Sequence, residues 1–302
     1  MKKISWVTHK DYDIPLPKNH KFTASKFSDL FNELKISDYY HRANILSPQK
    51  ASVDEVSICH DLDYVLKIKN GSLSDKEIRR LGFKWSETLS NRSFLAVNGT
   101  LLTCKEAIKN GIANHLAGGT HHSHRDFGSG YCVFNDMAYA SLHLIREHLV
   151  KKILIFDTDV HQGDGTASIL TNNDKIFTCS IHCKNNFPFR KSISDIDVEL
   201  DDNLEDDEYL DILHHTLNNC LKNFYPDLVI FDTGVDIHEN DKLGNLKITT
   251  EGLLKRDITV LEFFKNKSIP IATVIGGGYS NDKLELAKRH SLIFKATSMV
   301  FN

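Results

Sequence analysis

A chain of 302 residues with 41% hydrophobic side chains can bury one large core or two modest ones. Its formal net charge of −3, with no long basic run, excludes the electrostatic footprint of a nucleic-acid binder. Six cysteines without CxxC pairs exclude a disulfide framework and read as reduced, mostly buried thiols. No stretch approaches a membrane span, and Met1–His9 lacks the apolar run of a signal peptide. The expectation is a cytoplasmic protein with no direct nucleic-acid or membrane contact. Delivery to a host cell without a cleavable signal is left open.

Residues 1–50 are irregular, with Pro15, Pro17 and Pro48 punctuating loops. Helical periodicity runs from Ser86 to Asn110 and stops at Gly111, and a glycine-marked loop, Gly118–His124, follows. Beyond residue 130, helix-like stretches at about 134–150, 204–223, 250–267 and 282–300 alternate with apolar runs at 153–157, 175–181, 228–232 and 270–275. That alternation predicts an α/β fold: a single domain over 1–302, its sheet mainly parallel with helices on both faces. The acidic stretch 195–211 reads as a solvated loop leading into a helix whose N-terminus favours negative charge.

Two apolar runs stop at carboxylate-rich turns. Ile153–Phe156 is followed by Asp157-Thr-Asp159-Val-His161-Gln-Gly-Asp164, and Leu228–Phe231 by Asp232-Thr-Gly-Val-Asp236-Ile-His238. Alternating side chains put Asp157, Asp159 and His161 on one side of an extended segment. Asp159, His161 and Asp236 then form an oxygen and imidazole set suited to zinc, with a position left for water, which is a catalytic kind of site. A zinc ion there polarises a carbonyl and acidifies bound water. Two carboxylates temper that acidity, so a nearby base is useful. His121 and His122 offer two imidazoles, and Asp157 and Asp164 are spare carboxylates able to orient them. Tyr279, after Gly276-Gly-Gly, can donate its hydroxyl to a developing oxyanion. Each piece alone has a plainer reading: a capping turn, a polar loop, a tight glycine turn. Together they are complementary, and the strand-end segments fall where open α/β sheets place their active sites.

At this point the residues resemble a known family. Gly118-Gly-Thr-His-His122, Gly130-Tyr-Cys-Val-Phe-Asn-Asp136, Asp157–Gly165, Gly234-Val-Asp236, Asp241-Lys-Leu-Gly244 and Gly276–Tyr279 match zinc-dependent histone deacetylases of the arginase–deacetylase fold. The resemblance spans nearly the whole chain, from Leu16–Phe22 and His60–Tyr64 onward, and looks closest to the bacterial, class IV-like branch. It implies that zinc, or iron(II) in its place, is bound by Asp159, His161 and Asp236. It implies that His122, paired with Asp164, is general base and then acid, and that His121, paired with Asp157, stabilises the transition state. Tyr279 would polarise the scissile carbonyl, and Gly130, Tyr131, Phe187 and Leu243 would line a tunnel for an acyl-lysine stem. A structural potassium ion would lie on Asp157, Asp159, His161 and Ser180. Gln162, Tyr131 and Asp232 depart from many relatives without removing a catalytic group.

The expected activity is hydrolysis of acetyl or longer acyl groups from lysine side chains of a protein or peptide, by a monomer or weak oligomer. The alternative is deacetylation of a small amine such as an acetylpolyamine. An arginase-like ureohydrolase needs a second metal, and Gly163 and Gly234 stand where its ligands would be. A non-catalytic acyl-lysine binder should have lost a catalytic group, and none is missing.

Overall fold

The computed structural model describes residues 3–17 and 19–301. Met1, Lys2 and Asn302, and Lys18 of the Leu16–Phe22 motif, lie outside the described residues. The predicted sheet is present, with eight strands among the described residues, all parallel: β1 Ile4–Val7, β2 Ala43–Leu46, β3 Ile112–His115, β4 Ile153–Asp157, β5 Ile176–Cys183, β6 Ile196–Leu200, β7 Leu228–Asp232 and β8 Ile271–Val274. Their order is β2-β1-β3-β8-β7-β4-β5-β6. The last two strands of the sequence therefore insert between β3 and β4 at the centre.

Among the described residues ten α-helices accompany the sheet: α1 Lys26–Lys35, α2 Val53–Val56, α3 Leu62–Asn70, α4 Asp75–Leu81, α5 Glu87–Asn110, α6 Asp136–Arg146, α7 Asp164–Leu170, α8 Asp206–Asn223, α9 Thr250–Lys265 and α10 Lys283–Val300. Alternate residues of the central strands feed two separate cores. Leu154, Phe156, Val229 and Phe231 pack with residues of α1, α8, α9 and α10. Ile153, Ile155, Leu228 and Ile230 pack with residues of α5 and α6. Burial on both faces is why these strands read as continuous apolar runs. The helix ends follow local chemistry. The Ser86 hydroxyl accepts from Leu89 N–H at the start of α5, and Gly111, at φ 90°, ends it.

Three parts of the sequence reading change. Residues 1–50 hold β1, α1 and β2, and the loop at Gly118 follows a strand, β3, rather than a helix directly. The stretch 195–211 begins with β6, not a loop. Ile196, Val198 and Leu200 point inward relative to the more exposed Asp197 and Glu199. Charged side chains on a sheet edge are one way to discourage further strand pairing.

Candidate active site

The four central strands, β3, β8, β7 and β4, run side by side, and each is followed by a loop that carries part of the site. Beyond β3 come Gly118 and Gly119, at φ 84° and 78°, which turn the chain so that His121 and His122 face the strand ends. Asp136, the first residue of α6, fixes this turn: its carboxylate accepts from Thr120 N–H at 2.7 Å and Gly119 N–H at 3.2 Å.

Beyond β4 and β7 lie the three expected metal ligands. Asp159, His161 and Asp236 each offer one ligand atom within 4.8 Å of the others, and all are buried. His161 Nδ1 lies 3.0 Å from Asp159 Oδ1 and 3.1 Å from Asp236 Oδ2. Backbone N–H groups hold the carboxylates in place: Gly277 donates to Asp159 Oδ2 at 2.7 Å and Val160 to Asp236 Oδ1 at 2.9 Å. Gly277 has no room for a side chain, since a Cβ there would collide with both carboxylates. Burial alone would lower the His161 imidazole, but hydrogen bonds to the two aspartates outweigh it and lift it to about 10. Two carboxylates converging on one imidazole in a buried site form a donor set that fits a divalent cation.

The histidine pair sits on the open side of this cluster, the rings 4.1 Å apart. His121 Nδ1 donates to Asp157 Oδ2 at 2.7 Å, and His122 Nδ1 donates to Asp164 Oδ1 at 2.7 Å. The sequence-predicted dyads are therefore both assembled. Their electrostatics differ. Burial lowers His121, yet the charges of Asp157 and Asp159 outweigh it and hold the imidazole well above its usual range. For His122, burial and the neighbouring His121 prevail over Asp164 and push the imidazole down to about 4. One ring is set to stay charged and the other neutral. The second oxygen of Asp164 accepts from His124 Nε2 at 3.0 Å, a partner that the sequence reading left without a role.

Tyr279 lies beyond β8 and is buried, and burial raises its hydroxyl well above the ordinary range. Asp241 positions it: one carboxylate oxygen accepts from Tyr279 N–H at 2.7 Å, the other from Leu243 N–H at 2.8 Å. Leu243, Gly130, Tyr131 and Phe187 all line an outer cavity of about 250 Å³ that reaches His122, His161 and Tyr279. Phe187 stands edge-on to His122, centroids 4.9 Å apart. The tunnel residues are thus brought together. Ser180, on β5, pairs in register with Asp157 on β4, and its hydroxyl is 3.0 Å from His182 Nδ1.

The departures have structural accounts. The Gln162 amide donates to Asp197 Oδ1 and to the Ser192 carbonyl, both at 2.8 Å, tying the metal turn to β6. The Asp232 carboxylate is buried, and among the described residues neither oxygen is hydrogen-bonded. Burial, and then Asp157, raise it well above the carboxylate range. A Cβ on Gly234 would come within 2.9 Å of Asp159 Cα, which leaves no space for a second-metal carboxylate at that position.

Behind the histidines lies an inner cavity of about 30 Å³. Two buried cations that the sequence did not single out face it. Lys26 Nζ donates to the Gly276 carbonyl at 2.7 Å, and burial lowers its ammonium to about 8. Arg92 stacks over Phe27 at 4.8 Å, its Nε without a hydrogen-bond partner among the described residues.

Comparison with known proteins agrees with this geometry. The model of the family described as histone deacetylase domain matches residues 20–293. An uncharacterised protein of Picosynechococcus is 41% identical over 295 residues, covering 98% of each chain. Histone deacetylase 2 of Arabidopsis thaliana is 28% identical, covering 97% of this chain and 81% of its own. The acetoin utilization protein AcuC of Staphylococcus aureus is 30% identical over 83% of this chain and 72% of its own. Among solved structures, an HDAC homologue in complex with SAHA superposes with a TM-score of 0.82 at 24% identity, covering 98% of this chain and 84% of the other.

Proposed function

The chain belongs to the histone deacetylase family, and from that premise we propose that it is a zinc-dependent amidohydrolase removing acetyl or longer acyl groups from lysine side chains. The observation that carries this reading is the pair of 2.7 Å histidine–aspartate dyads beside the three-ligand cluster, with Tyr279 beyond it. Zinc held by Asp159, His161 and Asp236 would supply a Lewis acid for the amide carbonyl and the attacking water. Iron(II) suits the same ligands.

The chain's own residues then divide the proton work. His122 donates through Nδ1 to Asp164, which leaves Nε2 as an acceptor. Neutral at working pH, it takes the proton of the attacking water and returns it to the departing amine. His121, kept charged by Asp157, donates towards the developing negative charge. The Tyr279 hydroxyl donates to the oxyanion from the other side. Gly130, Tyr131, Phe187 and Leu243 form the wall along the lysine stem. A potassium ion on Asp157, Ser180 and the main chain of Asp159 and His161 would brace the turn. All six cysteines are free and buried, which supports a reducing, cytoplasmic setting. Among the described residues no helix is long and apolar enough to cross a membrane.

The test is a panel of acyl-lysine peptides and acetylated polyamines, with metal analysis of the same preparation. His122→Ala should lower kcat by about 10²–10⁴-fold, and Tyr279→Phe by about 10²–10³-fold, with bound metal retained. If peptide hydrolysis survives both changes, the mechanism is wrong.

A further inference from the structure

The entrance carries charge that the hydrolytic chemistry does not use. Arg79 and Arg80, in the last turn of α4, line the outer cavity together with the tunnel wall, and no carboxylate is among its lining residues. Among the described residues neither guanidinium is paired with a carboxylate. Both residues are exposed, although the chain as a whole has a net charge of −3.

Cations in the last turn of a helix are favourable in themselves. That accounts for their tolerance in α4 but not for where α4 ends. Its end is fastened to the tunnel: Tyr131 N–H donates to the Leu81 carbonyl at 2.9 Å, and His20 Nε2 lies 3.0 Å from the Gly82 carbonyl. Arg80 is further held over the Phe127 ring at 4.2 Å. The end of α4 is therefore fixed beside the opening, the Arg80 charge is held there, and Arg79 lines the same cavity, so an acyl-lysine must pass them.

We propose that Arg79 and Arg80 are specificity-determining residues that favour acyl-lysine in an acidic peptide segment, an inference that rests on the deacylase reading. A carboxylate one or two residues from the acyl-lysine meets two positive charges at the rim, whereas a lysine-rich segment or a cationic polyamine meets repulsion. The interaction is solvent-exposed, so it is modest and salt-sensitive.

Three blocked peptides with one acetyl-lysine flanked by glutamate, alanine or lysine test this. The expected order of kcat/KM is glutamate, alanine, lysine, with the extremes about three- to tenfold apart and the difference carried by KM. The ratio should shrink towards one as salt rises to about 0.5 M. Reversing the charges in Arg79→Glu/Arg80→Glu should invert the order, thermal melting showing that the variant is folded. The salt series on the unaltered protein carries the test if it is not. A ratio of one or less, or a preference that persists in the folded reversal variant, overturns the proposal. Turnover of the alanine peptide without charge preference overturns this inference alone. No turnover of that peptide overturns the deacylase reading, and this inference with it.

Discussion

His121 and His122 are adjacent in sequence and each donates to an aspartate at the same distance, yet their imidazoles are driven in opposite directions. The difference lies in what surrounds each dyad. His121 faces Asp157 and Asp159, and His122 faces charged His121. As the proposed base, His122 must be neutral, so the acid limb of kcat/KM that it controls is expected well below 6.5, because burial and the charge of His121 lower it and a bound cation acts in the same direction. Asp164 favours the protonated ring, so Asp164→Asn should move that limb lower still and reduce kcat by at least about tenfold through lost orientation. A limb near 6.5 that stays put in the variant contradicts this. At this scale the sequence was legible where spacing itself dictates chemistry, as in Asp157-Thr-Asp159-Val-His161. It was silent on Lys26 and Arg92, and it placed Asp241 and His124 in informative segments without giving either a role. Each acts through a partner elsewhere in the chain, which local context does not reveal.

At the scale of elements, the long helices were readable because periodicity and caps agree. Thr249 shows what a cap contributes. Its hydroxyl accepts from Gly252 N–H at 3.0 Å at the start of α9 and donates to Asp206 Oδ2 at 2.6 Å, joining α9 to α8. Thr249→Ala should cost about 1–2 kcal/mol, lowering Tm by a few degrees in calorimetry, and Thr249→Ser should restore most of it. An unchanged melting temperature for the alanine variant would remove this role. The strands missed in the sequence, β1, β2 and β3, have four residues each, and Ser5, Asn44 and Asn114 interrupt their short apolar runs. β6 was hidden for another reason: its acidic face dominates the composition, while its alternating Ile196, Val198 and Leu200 show only once the sheet edge is known.

At the scale of the whole molecule, the sheet order brings four loops together and also closes the space behind them. The inner cavity, at about 30 Å³, holds roughly one water. Acetyl-lysine needs little more than this, whereas a longer acyl chain must displace Phe22, Phe27 or the buried cations beside them. Overpacking of that kind costs about 1–3 kcal/mol, so kcat/KM for an octanoyl peptide should fall roughly 10- to 100-fold below that for the acetyl peptide. Equal rates across the series would show that the cavity opens more easily than its packing implies. By itself the sequence determined the parallel α/β class and singled out Asp159, His161 and Asp236 as candidate ligands, because strand-end turns and ligand spacing are local properties; which aspartate pairs with which histidine came with the family resemblance. Tertiary structure decided what is not local: the insertion of β7 and β8 between β3 and β4, the unequal electrostatics of two neighbouring histidines, and the size and charge of the spaces before and behind the site. Those depend on which distant side chains are brought within reach and how much water they displace, and neither is written in any one segment.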